Sequence, residues 1–290
     1  MQKDMHATVD IPRFLFDAWR SGREITCGIA WDIYRDRHTI IKNIRIYREL
    51  TGGRCVIYTG EKIDGIKSSL QRICSDPALR MMEDLYSGDI NCAVRGSISS
   101  RDILNAIKIV YKVRDPGRSL FFDIAGDHLF LSPVGIDELK APEDKIDNII
   151  KVATVTEKMG KTPRILVLGP GRVGDEDRDS KIADGMRQAR KILQSIKNRG
   201  MDAEGGDICI ERLRYQDFTH VVAPDGVSGN LIFRTSVFLF NAQAYGAPAL
   251  NLPDVYVDTS REKRDAFRAM IMAHFLASMR DNHEHAVYRS

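Results

Sequence analysis

Four loops of the sequence combine charged residues with glycines, with hydroxyl residues or with both, as anion-binding loops do. Three follow a short apolar run typical of a β-strand, and all four lead towards a segment with helical periodicity. The free backbone N–H groups and partial positive charge of a helix N-terminus suit a phosphate or a carboxylate. These loops span residues 94–100, 168–174, 223–230 and 257–261.

The first loop offers an arginine and three hydroxyls beside a glycine that lets a ligand approach the backbone. Its candidate ligand-binding residues are Arg95, Gly96, Ser97, Ser99 and Ser100. The alternative is a helix cap without a ligand, in which Ser99 or Ser100 is the N-cap. The sequence favours neither interpretation over the other.

The loop at 223–230 brings two glycines, an aspartate and an asparagine to a predicted strand end. Such a dense cluster favours a ligand-facing role over a plain turn. Its candidate ligand-binding residues are Asp225, Gly226, Gly229 and Asn230.

The last loop opens the final predicted helix with Ser260 and Arg261. Ser260 is a good N-cap residue, and capping alone accounts for it. The guanidinium of Arg261 could also bind a phosphate in a bidentate manner.

Residues 169–174 formally match the G-x-G-x-x-G pattern of dinucleotide-binding loops. We reject that interpretation because Asp175, Glu176 and Asp177 would repel a pyrophosphate, and because Pro170 lacks an N–H group. Oxygen ligands of this kind could hold a metal ion. A solvated acidic loop is the favoured interpretation, so we predict no metal ligands.

The elements that must position these loops alternate along the chain. Short apolar runs and longer amphipathic stretches predict βαβ units, and hence mostly parallel sheets covered by helices on both faces. The pattern includes a strand at 207–210 and a helix at 230–244. A chain of 290 residues is longer than a single hydrophobic core usually accommodates. We therefore predict two α/β lobes, with 1–132 and 247–290 in the first and 133–246 in the second.

Composition narrows the class of protein. A net charge of +3 without a Lys/Arg block argues against nucleic-acid binding. No apolar run reaches roughly 18 residues, so no membrane span is expected, and the polar start of the chain does not resemble a signal peptide. The five cysteines are odd in number and lack a C-x-x-C pair, which indicates reduced thiols in a cytoplasmic protein.

Several segments, taken in order, resemble the phosphate acyltransferase superfamily: the phosphate acetyl- and butyryltransferases and the PlsX-type acyl-phosphate-forming enzymes. They are residues 91–110 (NCAVRGSISSRDILNAIKIV), 120–136 (LFFDIAGDHLFLSPVGI), 203–235 with EGGDI and VVAPDGVSGNLIFRT, and 246–261 (GAPALNLPDVYVDTSR). The resemblance implies the fold shared with isocitrate and isopropylmalate dehydrogenases, and a homodimer. Within this superfamily the chain resembles most closely the MtxX group of methanogenic archaea. This group, also called methanogenesis marker protein 4, is labelled as a methyltransferase subunit.

The resemblance also implies roles for particular residues. Ser260 and Arg261 would hold the phosphoryl or thioester end of the substrate. Asp265 is the nearest candidate for the acidic residue that activates the thiol, although its spacing differs from that of the acetyltransferases. The loop at 95–100 would line the opposite wall, and the loop at 225–230 would reach the cleft from the second lobe.

The function expected from these features is a phosphate acyltransferase-like enzyme with a small anionic substrate between the lobes. It would move an acyl group between phosphate and a thiol such as coenzyme A, with no resident cofactor required. One alternative is a component of a methyltransferase system that acts with coenzyme M or a corrinoid protein. Another is a non-catalytic ligand-binding member of the same fold.

Overall fold

The computed structural model describes residues 12, 15, 24–32, 37–124, 126–260 and 266–280. In these ranges, helices α1 to α7 span Arg37–Thr51, Pro77–Ser87, Ser100–Tyr111, Pro142–Lys158, Ser180–Asn198, Gly226–Arg234 and Phe267–Ser278. Short 3-10 turns lie at Ser68–Leu70 and Ile210–Arg214, and a π-helical turn at Thr235–Leu239 extends α6. None of these helices is long and apolar enough to cross a bilayer.

Twelve strands in the same ranges form two six-stranded sheets. Strands β1 to β6 span Thr26–Ala30, Arg54–Thr59, Gln71–Ile73, Cys92–Val94, Leu120–Ile124 and Asp127–Ser132. Strands β7 to β12 span Arg164–Leu168, Asp202–Asp207, His220–Val222, Gln243–Ala244, Ala247–Pro248 and Val255–Asp258.

The first sheet has the order β11-β12-β4-β1-β2-β3, and its strands are parallel except for β11. Helices α1 and α7 pack on one face and α2 and α3 on the other, each pair burying its apolar stripe. Cys27 of β1 lies opposite Cys55 of β2 and Cys92 of β4, and all three are buried free thiols. Small, apolar thiols suit strands that are covered on both faces.

The second sheet has the order β10-β5-β6-β9-β7-β8. Strand β5 is antiparallel to both β10 and β6, whereas β6, β9, β7 and β8 are parallel. Helices α4 and α5 cover one face of this sheet, and α6 with its π-helical turn covers the other. Two mostly parallel sheets with helices on both faces confirm the predicted two-lobed α/β class.

Three sequence-based assignments need correction. Strands β5 and β6 belong to the second sheet, although the division at residue 132 placed them in the first lobe, because they form a hairpin whose second strand pairs with β9. The strand predicted at 207–210 lies at Asp202–Asp207, where Ala203 is the single apolar side chain beside two glycines. The helix predicted from residue 230 already begins at Gly226.

The chain crosses between the sheets twice, and the two crossings are hydrogen bonded to each other. We call residues 118–122 and 244–249 the crossing ribbon. Its bonds run from Phe121 N to Gly246 O at 3.0 Å, from Tyr245 N to Phe121 O at 2.8 Å and from Ser119 N to Pro248 O at 3.0 Å. The two lobes are therefore joined by a two-stranded connection.

Candidate functional site

A cavity of about 440 Å³ lies between the two lobes. This volume is in the range of small-molecule sites. The first lobe lines it with residues from three loops and helix starts, including Arg95, Ser100, Thr259, Ser260 and Arg268. The second lobe contributes Val134, Ile136, Asn230, Phe233 and Arg234. The crossing ribbon lines the cavity as well, through residues that include Arg118, Leu120 and Ala244.

A buried ionic network stands beside this cavity. Asp258, at the end of β12, contacts Arg118 through one carboxylate oxygen, and its other oxygen lies 3.0 Å from Arg95 Nε. Arg118 Nε also donates to Glu138 Oε1 at 2.6 Å, and Arg118 N donates to the other Glu138 oxygen at 3.1 Å. Asp258 and Arg95 come from the first lobe, and Glu138 comes from the second. The network therefore fixes the two guanidinium groups and ties the lobes together.

The two carboxylates of the network differ in pKa. Burial alone would raise the pKa of Asp258, but Arg95 and Arg118 outweigh it and hold that pKa below its usual value. Burial raises the pKa of Glu138 to about 7, because Arg118 offsets the burial only in part. Burial would likewise lower the pKa of Arg118, but Asp258 and Glu138 raise it. Asp258 therefore stays ionised, whereas Glu138 titrates near neutral pH.

The charge of the cavity is positive. Among the described lining residues, Asp258 is the acidic member, and the basic members are Arg95, Arg118, Arg234 and Arg268. Within the same ranges, Arg268 Nε is buried without a hydrogen-bond partner. Guanidinium groups in excess over carboxylates favour an anionic ligand such as a phosphate or a carboxylate.

Sequence reasoning missed three of these four arginines: Arg118, Arg234 and Arg268. Nothing in their local sequence distinguishes them among the 43 Lys and Arg residues of the chain. The partners that mark Arg118 lie 20 and 140 residues away, at Glu138 and Asp258. A contact of that separation has no signature in one sequence.

The loop at 94–100 divides its predicted site residues into two groups. Arg95 and Ser100 line the cavity. Ser99 is the N-cap of α3 and accepts a hydrogen bond from Asp102 N at 3.0 Å, as the capping interpretation expects. Ser97 Oγ accepts one from Asp32 N at 2.8 Å, which ties this loop to the end of β1.

Gly96 lies in the same loop and has a backbone role. Its φ is +67°, and a Cβ there would lie 2.1 Å from Ala30 O. Gly96 O also accepts a hydrogen bond from Thr259 Oγ1 at 2.9 Å. The first loop is therefore bound directly to the loop that carries Ser260.

The segment at 225–230 contributes one residue to the cavity lining, Asn230. Asn230 Nδ2 donates to Val134 O at 3.0 Å. Asp225 is the N-cap of α6 and accepts from Ser228 N at 2.8 Å. These polar groups hold the start of α6 and the adjacent loop in place.

The two glycines of this segment allow a close approach of backbones. A Cβ on Gly226 would lie 1.9 Å from Gly135 O, and a Cβ on Gly229 would lie 1.9 Å from Pro133 O. Real side chains cannot occupy that space, so α6 sits directly on the loop at 133–136. That loop in turn carries Val134 and Ile136 to the cavity.

The fourth loop brings Ser260 to the cavity. Arg261 and Asp265 lie outside the described residues. One cavity is thus lined by the loops at 95–100 and 257–260 and by the helix that begins at Gly226. The predicted site residues that line it are Arg95, Ser100, Asn230 and Ser260.

The acidic loop after β7 is stabilised by its own surroundings. Asp175 accepts a hydrogen bond from Arg172 N at 2.9 Å, and Glu176 accepts one from Gly174 N at 2.8 Å. Arg190 pairs with Glu176 at 2.6 Å. Across the described part of the chain, no group of three or more His, Cys, Asp or Glu residues could hold a metal ion.

Solved structures with the same architecture include acyl-transferring enzymes. A branched-chain phosphotransacylase from Enterococcus faecalis matches with a TM-score of 0.71 at 14% identity, over 89% of this chain and 100% of that one. A phosphotransacetylase from Staphylococcus aureus gives 0.65 at 11% identity, over 91% and 98%. An isocitrate dehydrogenase from Methylococcus capsulatus gives 0.56 at 8% identity, over 90% and 88%. These likenesses concern the fold.

Relatives by sequence come from methanogens. The protein of Methanosarcina acetivorans named "Putative methyltransferase mtx subunit X" is 33% identical over 233 residues, which is 79% of this chain and 83% of that protein. The protein of the same name from Methanosarcina barkeri is 31% identical over 230 residues, 79% and 84% of the two chains. No family model matches the chain. These identities over most of its length confirm the resemblance seen in the motifs, and the chain belongs to the mtx subunit X (MtxX) family.

Proposed function

We propose that this chain is a transferase that binds a small anionic substrate between its lobes and moves an acyl group between phosphate and a thiol. The observation that carries the proposal is the excess of arginine over aspartate in the cavity lining. The phosphotransacylase fold supports it, because a cleft between two lobes can bring a phosphate and a thiol compound together.

In this reaction the protein has to bind the two substrates and stabilise negative charge. The sulfur of a thiolate attacks the carbonyl carbon of an acyl phosphate, a C–S bond forms, and the C–O bond to phosphate breaks. Phosphate leaves with the electron pair of that bond, so the products are a thioester and inorganic phosphate. Arg95 and Arg268 would meet the negative charge on the phosphoryl group and on the carbonyl oxygen. Both the nucleophile and the leaving group belong to the substrates, so the step needs no resident cofactor.

The proton of the thiol must go to a base before the attack. Asp258 is a poor acceptor because its two arginine partners hold its pKa low. Asp265 is the proposed acceptor on sequence grounds, with Ser260 and Arg261 at the phosphoryl or thioester end. Coenzyme A, or a similar thiol, is the proposed acyl acceptor.

The test mixes the purified chain with acetyl, butyryl or isobutyryl phosphate and coenzyme A, and follows thioester formation. Hydroxylamine then traps the remaining acyl phosphate. We expect Arg268→Gln to lower the rate by about 100-fold or more, as loss of a charge-stabilising donor does elsewhere. Arg187→Gln is the matched control, because Arg187 is exposed on α5 and is not among the residues that line the cavity. Wild-type protein that forms no thioester with any of these donors would contradict the proposal.

Methyl transfer is the second candidate function, because the relatives carry a methyltransferase name. The same arginines suit the sulfonate of coenzyme M, a small anionic thiol. Thiol methyl transfer commonly uses zinc held by Cys and His ligands. Stoichiometric zinc in purified protein, together with methylation of coenzyme M by a methylated corrinoid protein, would favour this function over acyl transfer.

The third candidate is a non-catalytic ligand-binding protein. Its signature would be a thermal shift with phosphate, acyl phosphate, coenzyme A or coenzyme M in the absence of any turnover.

We further propose that a second copy of the chain covers an apolar patch on the outside of α6 and its π-helical turn. Five of the exposed large apolar side chains lie close together in sequence here: Val227, Leu231, Phe238, Leu239 and Phe240. Exposed apolar clusters mark interaction surfaces, and twofold pairing is the commonest assembly of soluble chains. Sedimentation should give a dimer that Leu239→Asp converts to a monomer, whereas Val173→Asp, at another exposed site, leaves it intact. A wild-type monomer would exclude the pairing.

A further inference from the structure

The two lobes line the cavity with different sets of side chains. The first lobe presents mostly polar or charged groups, from Arg95, Ser100, Thr259, Ser260 and Arg268. The second lobe presents three apolar side chains, Val134, Ile136 and Phe233, beside Asn230 and Arg234. The crossing ribbon adds Leu120 and Ala244 beside Arg118. The large apolar side chains of the lining therefore belong to the second lobe and the ribbon, whereas charged side chains come from both lobes.

The apolar side is built into the fold. Leu120 is 4% exposed and Ala244 is 5% exposed, so both are anchored in the core of the second lobe. Ile136, in contrast, is 70% exposed, although the loop that carries it packs directly against α6 at Gly226 and Gly229. A large aliphatic side chain that lines a cavity and is left open to water has contact surface to offer a ligand.

A purely ionic ligand would contact only the charged part of the cavity lining. Inorganic phosphate pairs with guanidinium groups but leaves Val134, Ile136 and Phe233 in contact with water. A ligand that adds an apolar group to its anionic one removes that surface from water, which strengthens binding by about fourfold for each buried CH₂ group.

We propose that the ligand of this cavity carries an aliphatic group larger than a methyl next to its anion, and that this group packs on Val134, Ile136 and Phe233. Resting on the proposed function, this makes the transferred group an aliphatic acyl group longer than acetyl. The first lobe holds the phosphoryl end, and the second lobe selects the acyl chain. Ile136 and Phe233 are then specificity-determining residues.

The test uses alkylphosphonates, which cannot transfer an acyl group, so it measures binding alone. Methyl-, ethyl-, propyl- and isobutylphosphonate are titrated into the full-length protein by calorimetry. Affinity is expected to rise by about fourfold for each added carbon up to propyl. Ile136→Ser should remove about tenfold of the affinity for isobutylphosphonate and leave that for methylphosphonate within about twofold.

Two controls keep the result interpretable. Val173→Ser removes a side chain that is 85% exposed and is not among the residues that line the cavity, and it should change no affinity. Phe233→Ala tests the same subsite from α6, and a circular-dichroism spectrum like that of the wild type verifies its fold. An affinity that is flat along the alkyl series would overturn the proposal, as would an equal loss of all four phosphonates in Ile136→Ser.

The outcome separates this inference from the proposed function. A rising alkyl series without any acyl transfer supports the apolar subsite and counts against the transferase. Acyl transfer with acetyl phosphate as fast as with isobutyryl phosphate, and a flat series, supports the transferase and overturns the subsite. A protein that binds none of the phosphonates contradicts both.

Discussion

Two segments with similar residue types in the sequence have different roles in the structure. Both the loop at 95–100 and the segment at 225–230 place glycines and polar residues at the start of a helix. The first sends Arg95 and Ser100 into the cavity, whereas the second sends Asn230 alone. Residue types at a helix start therefore identify a candidate site, but the backbone that the glycines approach decides whether the segment lines the cavity or supports a neighbouring loop.

The segment at 225–230 acts through its neighbour. Gly226 and Gly229 seat α6 on the loop at 133–136, and Asn230 binds Val134 O. Lys145 Nζ, which is buried, binds Pro224 O just before the helix. The supported loop continues to Glu138, which holds Arg118 at the cavity. Four experiments test this contrast between residues that line the cavity and residues that support its lining.

The largest effect is expected for Gly229→Ala. Its Cβ would lie 1.9 Å from Pro133 O, so either α6 or the loop at 133–136 must move. We expect the free energy of unfolding to fall by about 3 kcal/mol or more, measured by urea denaturation. Gly60→Ala is the matched control, because nothing lies within 4 Å of a Cβ there. Wild-type stability of Gly229→Ala would show that α6 does not depend on this close approach.

The next effect concerns Glu138, which faces Arg118 and also lies near Asp115. Its pKa is raised from 4.5 to about 7 in the folded chain, so its contribution to stability is fully present below about pH 4.5 and is lost as the pH rises through 7. Glu138→Gln removes this titration. Its stability relative to the wild type should increase between about pH 5 and pH 8, by on the order of 3 kcal/mol at most.

Urea denaturation of both proteins at several pH values measures that difference. A difference that stays constant with pH would mean that Glu138 is ionised throughout, and that the loop at 133–138 holds Arg118 with a permanent charge.

A smaller effect separates capping from binding at Asp225. Asp225→Ala should lower the free energy of unfolding by about 1 kcal/mol, because Ser228 N loses its acceptor. Asp225→Asn keeps an acceptor oxygen and should be close to the wild type. Calorimetric affinity for phosphate should be the same in wild type and Asp225→Asn. A change of tenfold or more would make Asp225 a direct contributor after all.

The smallest effect on stability is expected at Ser100. Ser100→Ala should change the free energy of unfolding by less than about 0.5 kcal/mol. It should weaken phosphate binding by about two- to tenfold, as loss of one hydrogen bond does. The neighbouring Ser99→Ala should lower the free energy of unfolding and leave phosphate binding unchanged, since Ser99 caps α3. Identical behaviour of the two variants would remove the distinction within this loop.

The sequence predicted the alternation of strands and helices because buried strands and amphipathic helices have different periods. It did not reveal which sheet β5 and β6 join, since an apolar strand reads the same in either lobe. The position of strand β8 was predicted wrongly because Gly205 and Gly206 stand where apolar side chains would otherwise indicate a strand. Arg95, Ser100, Asn230 and Ser260 could be found because their loops carry local signals. Arg118 could not, because its role depends on partners that only folding brings near.

The crossing ribbon connects the two lobes, and its two strands are hydrogen bonded to each other. Arg118, Leu120 and Ala244 belong both to this connection and to the cavity lining. A molecule bound in the cavity would therefore touch the joint between the lobes directly, without a relay through distant residues.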